Sequence, residues 1–198
     1  MESIVQEPAL AYQPKVSLEA YFNMQADPGC RYEYWDGELV AMAGGSLSHA
    51  DLTDNLNGIF KKNLLKKGCK SFQQNVWLSI KKDNLLFLPD VIVSCYKDEL
   101  NPENRMLEQP TLLAEVLSDS TELYDRTQKW EKYRKIPSLR YYLLLSKKRP
   151  FVEMYQRPNA TSLFQYEVFE GLAATIYFRE FDLTVSLAEI YEGIEVGN

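Results

Sequence analysis

The chain has 198 residues, 45% of them hydrophobic and 25% charged, with a formal net charge of −6. That length supports one domain with a substantial core, and the composition is ordinary for a soluble globular protein. The acidic balance argues against a dedicated, tightly binding DNA coat protein, which is normally basic, but it leaves room for an enzyme with a local basic groove.

No apolar run reaches membrane-spanning length, and the first fifteen residues lack a signal peptide's basic start and hydrophobic centre. A cytoplasmic location without a membrane partner is therefore expected. Cys30, Cys69 and Cys95 form an odd, scattered set without zinc-type pairing and read as reduced structural thiols.

Residues 1–16 read as a loosely ordered leader and 17–198 as a single domain. Ser17 can cap a short helix over Leu18 to Gln25, which Asp27-Pro28-Gly29 ends. Arg31 to Trp35 and Glu38 to Met42 flank Asp36-Gly37, a two-residue hairpin signal. After the break at Gly44-Gly45-Ser46, Ser48 is placed to cap a helix over His49 to Lys67. Its apolar stripe is Leu52, Leu56, Ile59, Phe60 and Leu64, and Gly68 is its terminator.

Strands are expected at Ser71 to Ile80 and Leu85 to Cys95, with a turn near Asp83-Asn84 and a polar loop from Lys97 to Gln109. The next strand contains Glu115. Thr121 is placed to cap a helix over Glu122 to Lys135, and Pro137 marks its exit. Arg140 to Ser146, Phe151 to Gln156 and Leu163 to Phe169 follow as strands, and Ser186 to Tyr191 as a closing helix. This order argues for an α/β (α+β mixed) fold, a central mixed sheet flanked by helices with an added antiparallel hairpin region. Runs such as Val91 to Val93 and Leu143 to Leu145 point to a sheet covered on both faces.

Two strand-like runs, Leu88 to Val93 and Leu112 to Leu117, each carry one carboxylate in apolar surroundings, Asp90 and Glu115. A buried acid is costly unless a metal, a cation or hydrogen bonds compensate it. On neighbouring strands, about 4.8 Å apart, both acids could approach one hard cation such as Mg²⁺ or Mn²⁺. The backbone carbonyl of Val116 would supply a further oxygen. The chemistry of such a site is metal-assisted phosphodiester hydrolysis. The plainer reading has Asp90 capping a turn and Glu115 pairing with an arginine or tyrosine.

On the following helix Asp125, Lys129 and Tyr133 stand four residues apart and share a face, while Leu123, Thr127 and Trp130 form the sector expected to pack on the sheet. The Ser118 to Thr121 loop is short, so Lys129 can reach back towards the acids on its long stem. The alternative is an ordinary Asp125–Lys129 surface pair. Basic clusters at Lys61 to Lys70, Lys129 to Lys135 and Lys147 to Arg149 are phosphate contacts or simply solvated surface.

Several pieces together resemble the Uma-type restriction endonuclease family, a branch of the PD-(D/E)XK phosphodiesterase superfamily. They are Tyr32 to Glu38, Gly-Gly-Ser followed by His49, Pro89-Asp90, Glu115 to Ser118, Ser120-Thr121, Asp125 with Lys129 and Tyr133, and Ile136 to Ser138. Leu117 stands where the superfamily pattern has a lysine, and Lys129 is its candidate replacement. The resemblance implies a restriction-endonuclease-like core, a divalent metal (Mg²⁺ or Mn²⁺) and DNA as substrate. Carried over by position, Asp90 and Glu115 are metal ligands, Lys129 is the relocated catalytic lysine, and Glu33 and His49 are supporting residues. The expected activity is a metal-dependent DNA endonuclease acting as a homodimer. The competing expectation is an inactive nuclease-fold module that binds nucleic acid or a protein partner.

Overall fold

Two adjacent strands, β8 (Leu112–Leu117) and β9 (Tyr141–Ser146), run parallel at the centre of the molecule and are apolar at almost every position. The computed structural model describes residues 15–25, 31–42, 45–74 and 76–195. Residues 1–14 of the expected leader, Asp27-Pro28-Gly29, Cys30 and Gly44 lie outside the described residues.

Alternation along β8 and β9 sends Leu112, Ala114, Val116, Leu143 and Leu145 to one face and Leu113, Leu117, Tyr142 and Leu144 to the other. They belong to a six-stranded sheet of order β11-β10-β9-β8-β6-β3, with β3 at Lys70–Gln73, β6 at Val91–Ser94, β10 at Phe151–Gln156 and β11 at Gln165–Glu170. Every pairing except β8–β9 is antiparallel.

The first face is covered by α2 (Leu47–Leu64), whose Leu52, Leu56, Phe60 and Leu64 are fully buried. Beside it lie α5 (Leu187–Ile190) and a hairpin of β12 (Thr175–Phe178) and β13 (Leu183–Ser186). Burying each such large apolar side chain contributes about 1.5–3 kcal/mol before entropy is counted. The second face packs on a helical stretch formed by α3 (Glu122–Tyr124), a π turn over Asp125–Lys129 and α4 (Trp130–Tyr133). A five-stranded sheet of order β2-β1-β5-β4-β7 closes that side, from β1 (Tyr32–Trp35), β2 (Glu38–Ala41), β4 (Trp77–Ile80), β5 (Leu85–Phe87) and β7 (Met106–Leu107). The helix α1 (Leu18–Gln25) packs Tyr21 on Tyr34 and Leu86 of this smaller sheet. The fold is mixed α/β, with mixed sheets flanked by helices.

The first hairpin forms as expected. Asp36 and Gly37 both take positive φ, 45° and 98°, the backbone of a tight primed turn. Ser46 rather than Ser48 caps α2, accepting from the His49 N–H, and Gly68 ends the following 3₁₀ turn at φ 80°. Thr121 makes no side-chain cap; Ser118 Oγ accepts from the Thr121 N–H instead.

Two expected strands divide. The run Ser71 to Ile80 breaks after Gln73, where Gln74 adopts φ 52°, and Leu85 to Cys95 breaks at Leu88-Pro89-Asp90. Pro89 has no N–H to give a ladder. Each break passes the chain from one sheet to the other, so β3 pairs with β6 and β4 with β5. The β12–β13 hairpin is absent from the sequence reading.

The cysteine expectation is also corrected: Cys69 and Cys95 are disulfide-bonded. They stand one step beyond the Lys70–Ser94 pair of β3 and β6, so ladder register brings them together. Thiol titration of the unfolded, unreduced chain should therefore count one free thiol of three, and a count of three would contradict this pairing.

Candidate functional site

The site forms where the two sheets part. β6 pairs antiparallel with β8, with Val91 opposite Ala114, so Asp90 and Glu115 meet one step further along. The crossing between sheets at Pro89 releases Asp90 from the ladder. Its Oδ2 instead accepts from the Val116 N–H at 2.8 Å, while the Asp90 N–H donates to Glu115 Oε2 at 3.3 Å. The two acids are thus locked together through backbone, and both are buried.

Lys129 lies among the acids. Its Nζ is 3.0 Å from Glu115 Oε1, 3.2 Å from Glu33 Oε1 and 3.2 Å from Asp125 Oδ1. The side chain is only 5% exposed, so it is neither a surface cation nor part of a surface pair. The helix turns Asp125, Lys129 and Tyr133 inward, whereas Leu123 and Thr127 are exposed and Trp130 is half-buried. Of the expected packing sector only Trp130 meets the sheet, stacking on Tyr142 and Tyr155. The carboxylates on the sheet make the polar stripe the complementary one, and the π turn spans both Asp125 and Lys129.

Leu117, two residues past Glu115 on the same face, is buried in the second core cluster. The Lys129 ammonium approaches Glu115 from the helix side instead.

Glu33 is buried, 1% exposed. It accepts from the Leu88 N–H at 3.1 Å and from Tyr124 Oη at 2.8 Å. His49, at the start of α2, places Nε2 3.1 Å from Asp90 Oδ2. Gly45 fits closely against its ring: a Cβ there would lie 3.0 Å from His49 Nδ1. Tyr133 Oη donates to Glu115 Oε1 at 3.1 Å. All five sequence candidates (Asp90, Glu115, Lys129, Glu33 and His49) therefore line or floor one cavity of about 630 Å³, together with Val116, Asp125 and Tyr124. Tyr124 is the residue that sequence reading missed. Its signal was weak, an aromatic beside Asp125 on a helix with no visible partner.

Electrostatics follow from this crowding. Burial pushes the Glu115 carboxyl well above its ordinary range; Lys129 opposes the shift, and Asp125, Asp90 and Glu33 add to it. Burial works to discharge Lys129, but Glu115, Glu33, Tyr133 and Asp125 outweigh it and hold the ammonium above its usual value. Asp125 is also raised, by burial first. Burial, then Glu115, drives the Tyr133 phenol upward and keeps it a donor.

Five acids (Glu33, Asp90, Glu115, Asp119 and Asp125) and three basic residues (Arg31, Lys129 and Lys147) line the cavity, so acidic groups outnumber basic ones there. Among the described residues, no three His, Cys, Asp or Glu side chains form a ready metal cage. Mg²⁺, however, keeps several waters and needs only one or two carboxylates. Asp90 Oδ1 accepts no hydrogen bond among the described residues, and the donor set is entirely oxygen at Asp90, Glu115 and the Val116 carbonyl. The residues fit a hard divalent cation.

Comparison with known proteins bears on family and fold. Residues 18–187 match the Uma2 family, described as putative restriction endonuclease. Two uncharacterized proteins of Synechocystis are similar: slr1290 at 33% identity over 73% of this chain and 75% of its own length, and sll1609 at 34% over 69% and 78%. A crystal structure from Anabaena variabilis, titled a putative nuclease belonging to DUF820, superposes with TM-score 0.72 over 89% of this chain and 97% of its own. At 15% identity it speaks for the fold alone. With its residues matched from α1 to the start of α5, the chain belongs to the Uma2 family of putative restriction endonucleases.

Proposed function

We propose that the protein is a divalent-metal-dependent DNA endonuclease whose working groups are Asp90, Glu115 and Lys129. The observation that carries this reading is the approach of Lys129 Nζ to 3.0 Å from Glu115 while Asp90 and Glu115 stand side by side in an open cavity. Asp90, Glu115 and the Val116 carbonyl would hold the cation, Mg²⁺ or Mn²⁺. When bound, it supplies phosphate polarisation and a more acidic attacking water.

The chain's own residues do the rest. Lys129 moves within its carboxylate setting to orient the nucleophile and offset charge growing on the phosphate oxygens. Glu33, held by Tyr124 and the Leu88 N–H, keeps Lys129 aimed and charged. His49 steadies Asp90, and Tyr133 steadies Glu115. Apolar walls around Leu117 and Phe87 exclude water behind the acids, which strengthens every charge in front of them. A symmetric pair of chains would present one such site to each strand.

One observation favours a second reading, an inactive nuclease-fold module. Lys129 already contacts three carboxylates, so the cluster is partly compensated without any metal.

Calorimetry separates the two. Mg²⁺ or Mn²⁺ should bind the wild-type protein and fail to bind Asp90→Ala and Glu115→Ala; equal heats in all three proteins would exclude the site. Lys129→Met should retain metal binding yet lose plasmid nicking by a factor of at least a hundred, and normal nicking would remove the lysine from the mechanism. The same variant should lose about 3–5 kcal/mol of metal-free stability at neutral pH, because buried carboxylates are left unpaired. Glu115 is held above its unfolded pKa, so its protonation favours the folded state. The deficit should therefore shrink as pH falls and widen as pH rises, and a deficit independent of pH would contradict the pairing.

A further inference from the structure

The acidic cavity leaves open how a polyanion approaches a chain of net charge −6. A second cavity, of about 300 Å³, adjoins it and shares Asp119 and Lys147 with it. Its charged lining is reversed: Arg126, Lys147, Lys148 and Arg149 against Asp119 and Glu122.

Three of these cations are committed. Arg126 binds Glu122 and Glu153, Lys148 binds Asp119 at 2.6 Å, and Arg149 binds Glu170. Lys147 makes no ion pair among the described residues and is half-buried. The other cations of the catalytic cavity are engaged as well. Arg31 donates to the Gln74 carbonyl at 2.6 Å, and Lys129 is held by its carboxylates.

The position of Lys147 follows from β8–β9 register. Glu115 stands opposite Leu144 and Leu117 opposite Ser146, so Lys147 lies one step past the pair, beside the loop that leaves Glu115's strand. Three residues separate it from Leu144, or about 10 Å along the strand. Duplex DNA rises about 3.4 Å per nucleotide, so Lys147 stands about three nucleotides along the strand from a phosphate bound at Glu115.

We propose that Lys147 is a positioning residue that takes a phosphate about three nucleotides from the scissile one and draws the strand across the β9–β10 turn. The assignment rests on the endonuclease reading and adds to it a substrate path. Exposed ion pairs at Lys148 and Arg149 are weak enough to exchange partners as the strand passes.

The test compares wild type, Lys147→Ala, Lys147→Arg and Lys66→Ala, the last at the far end of α2. Duplex binding is measured in Ca²⁺ across a salt series, and Mn²⁺-dependent hydrolysis is measured on the duplex and on bis(p-nitrophenyl) phosphate, which has a single phosphate. Lys147→Ala should reduce the slope of log affinity against log salt by about 1. Its kcat/KM on duplex should fall at least tenfold more than on the small diester, mainly through KM, and Lys147→Arg should recover most of the loss.

Equal losses on both substrates, an unchanged slope, or an equal effect of Lys66→Ala would overturn the assignment. Duplex binding without hydrolysis of either substrate would sink the endonuclease reading alone, since the slope still decides Lys147. No duplex binding by wild type would overturn both.

Discussion

A buried ammonium surrounded by carboxylates is the constraint around which this molecule is arranged. Lys129 contacts Glu33, Glu115 and Asp125 at 3.0–3.2 Å, and each acid comes from a different element. Glu33 belongs to the smaller sheet, Glu115 to the centre of the larger, and Asp125 to the helix between them. None of these charges could be buried alone without large desolvation cost. Their mutual compensation binds two sheets and a helix at one point. The apolar clusters on either face supply bulk stability, and the ion cluster dictates where the layers must meet.

The remaining features of the site serve that junction. Pro89 interrupts a strand, frees Asp90 from the ladder and lets its carboxylate accept the Val116 N–H. The turn at Gln74 and the break at Pro89 carry the chain between sheets, which opens the cavity beside Glu115. α2 begins at the cavity and delivers His49 to Asp90. Tyr124 and Tyr133 point hydroxyls at Glu33 and Glu115, and burial, followed by the neighbouring acids, keeps these phenols protonated as donors. The arrangement remains rich in negative charge, which is the property a hard cation answers.

Much of this was legible in the residues. The Asp36-Gly37 turn, the apolar stripe of α2 and the largely apolar runs of β8 and β9 are local signals, and each appears where period and turn chemistry put it. The pairing of Asp90 with Glu115 could be read from two acids in two apolar runs. The sheet switches could not, because a positive φ at Gln74 has no residue signature and Pro89 alone does not say where the next strand goes. On the helix that carries Lys129, Trp130 packs on the sheet as its apolarity suggests, but Leu123 and Thr127 do not, although apolarity usually marks the buried side. Here buried acids on the sheet reward the charged side instead. The Cys69–Cys95 bond depends on non-local register, which spacing of three cysteines does not reveal.

A crystal grown or soaked with Mn²⁺ and measured for anomalous scattering tests the account most directly. The predicted result is one strong peak about 2.0–2.2 Å from Asp90 Oδ1 and a Glu115 oxygen, with the Lys129 ammonium still beside Glu115. No peak at these carboxylates at saturating metal, or a peak only elsewhere on the surface, would contradict it.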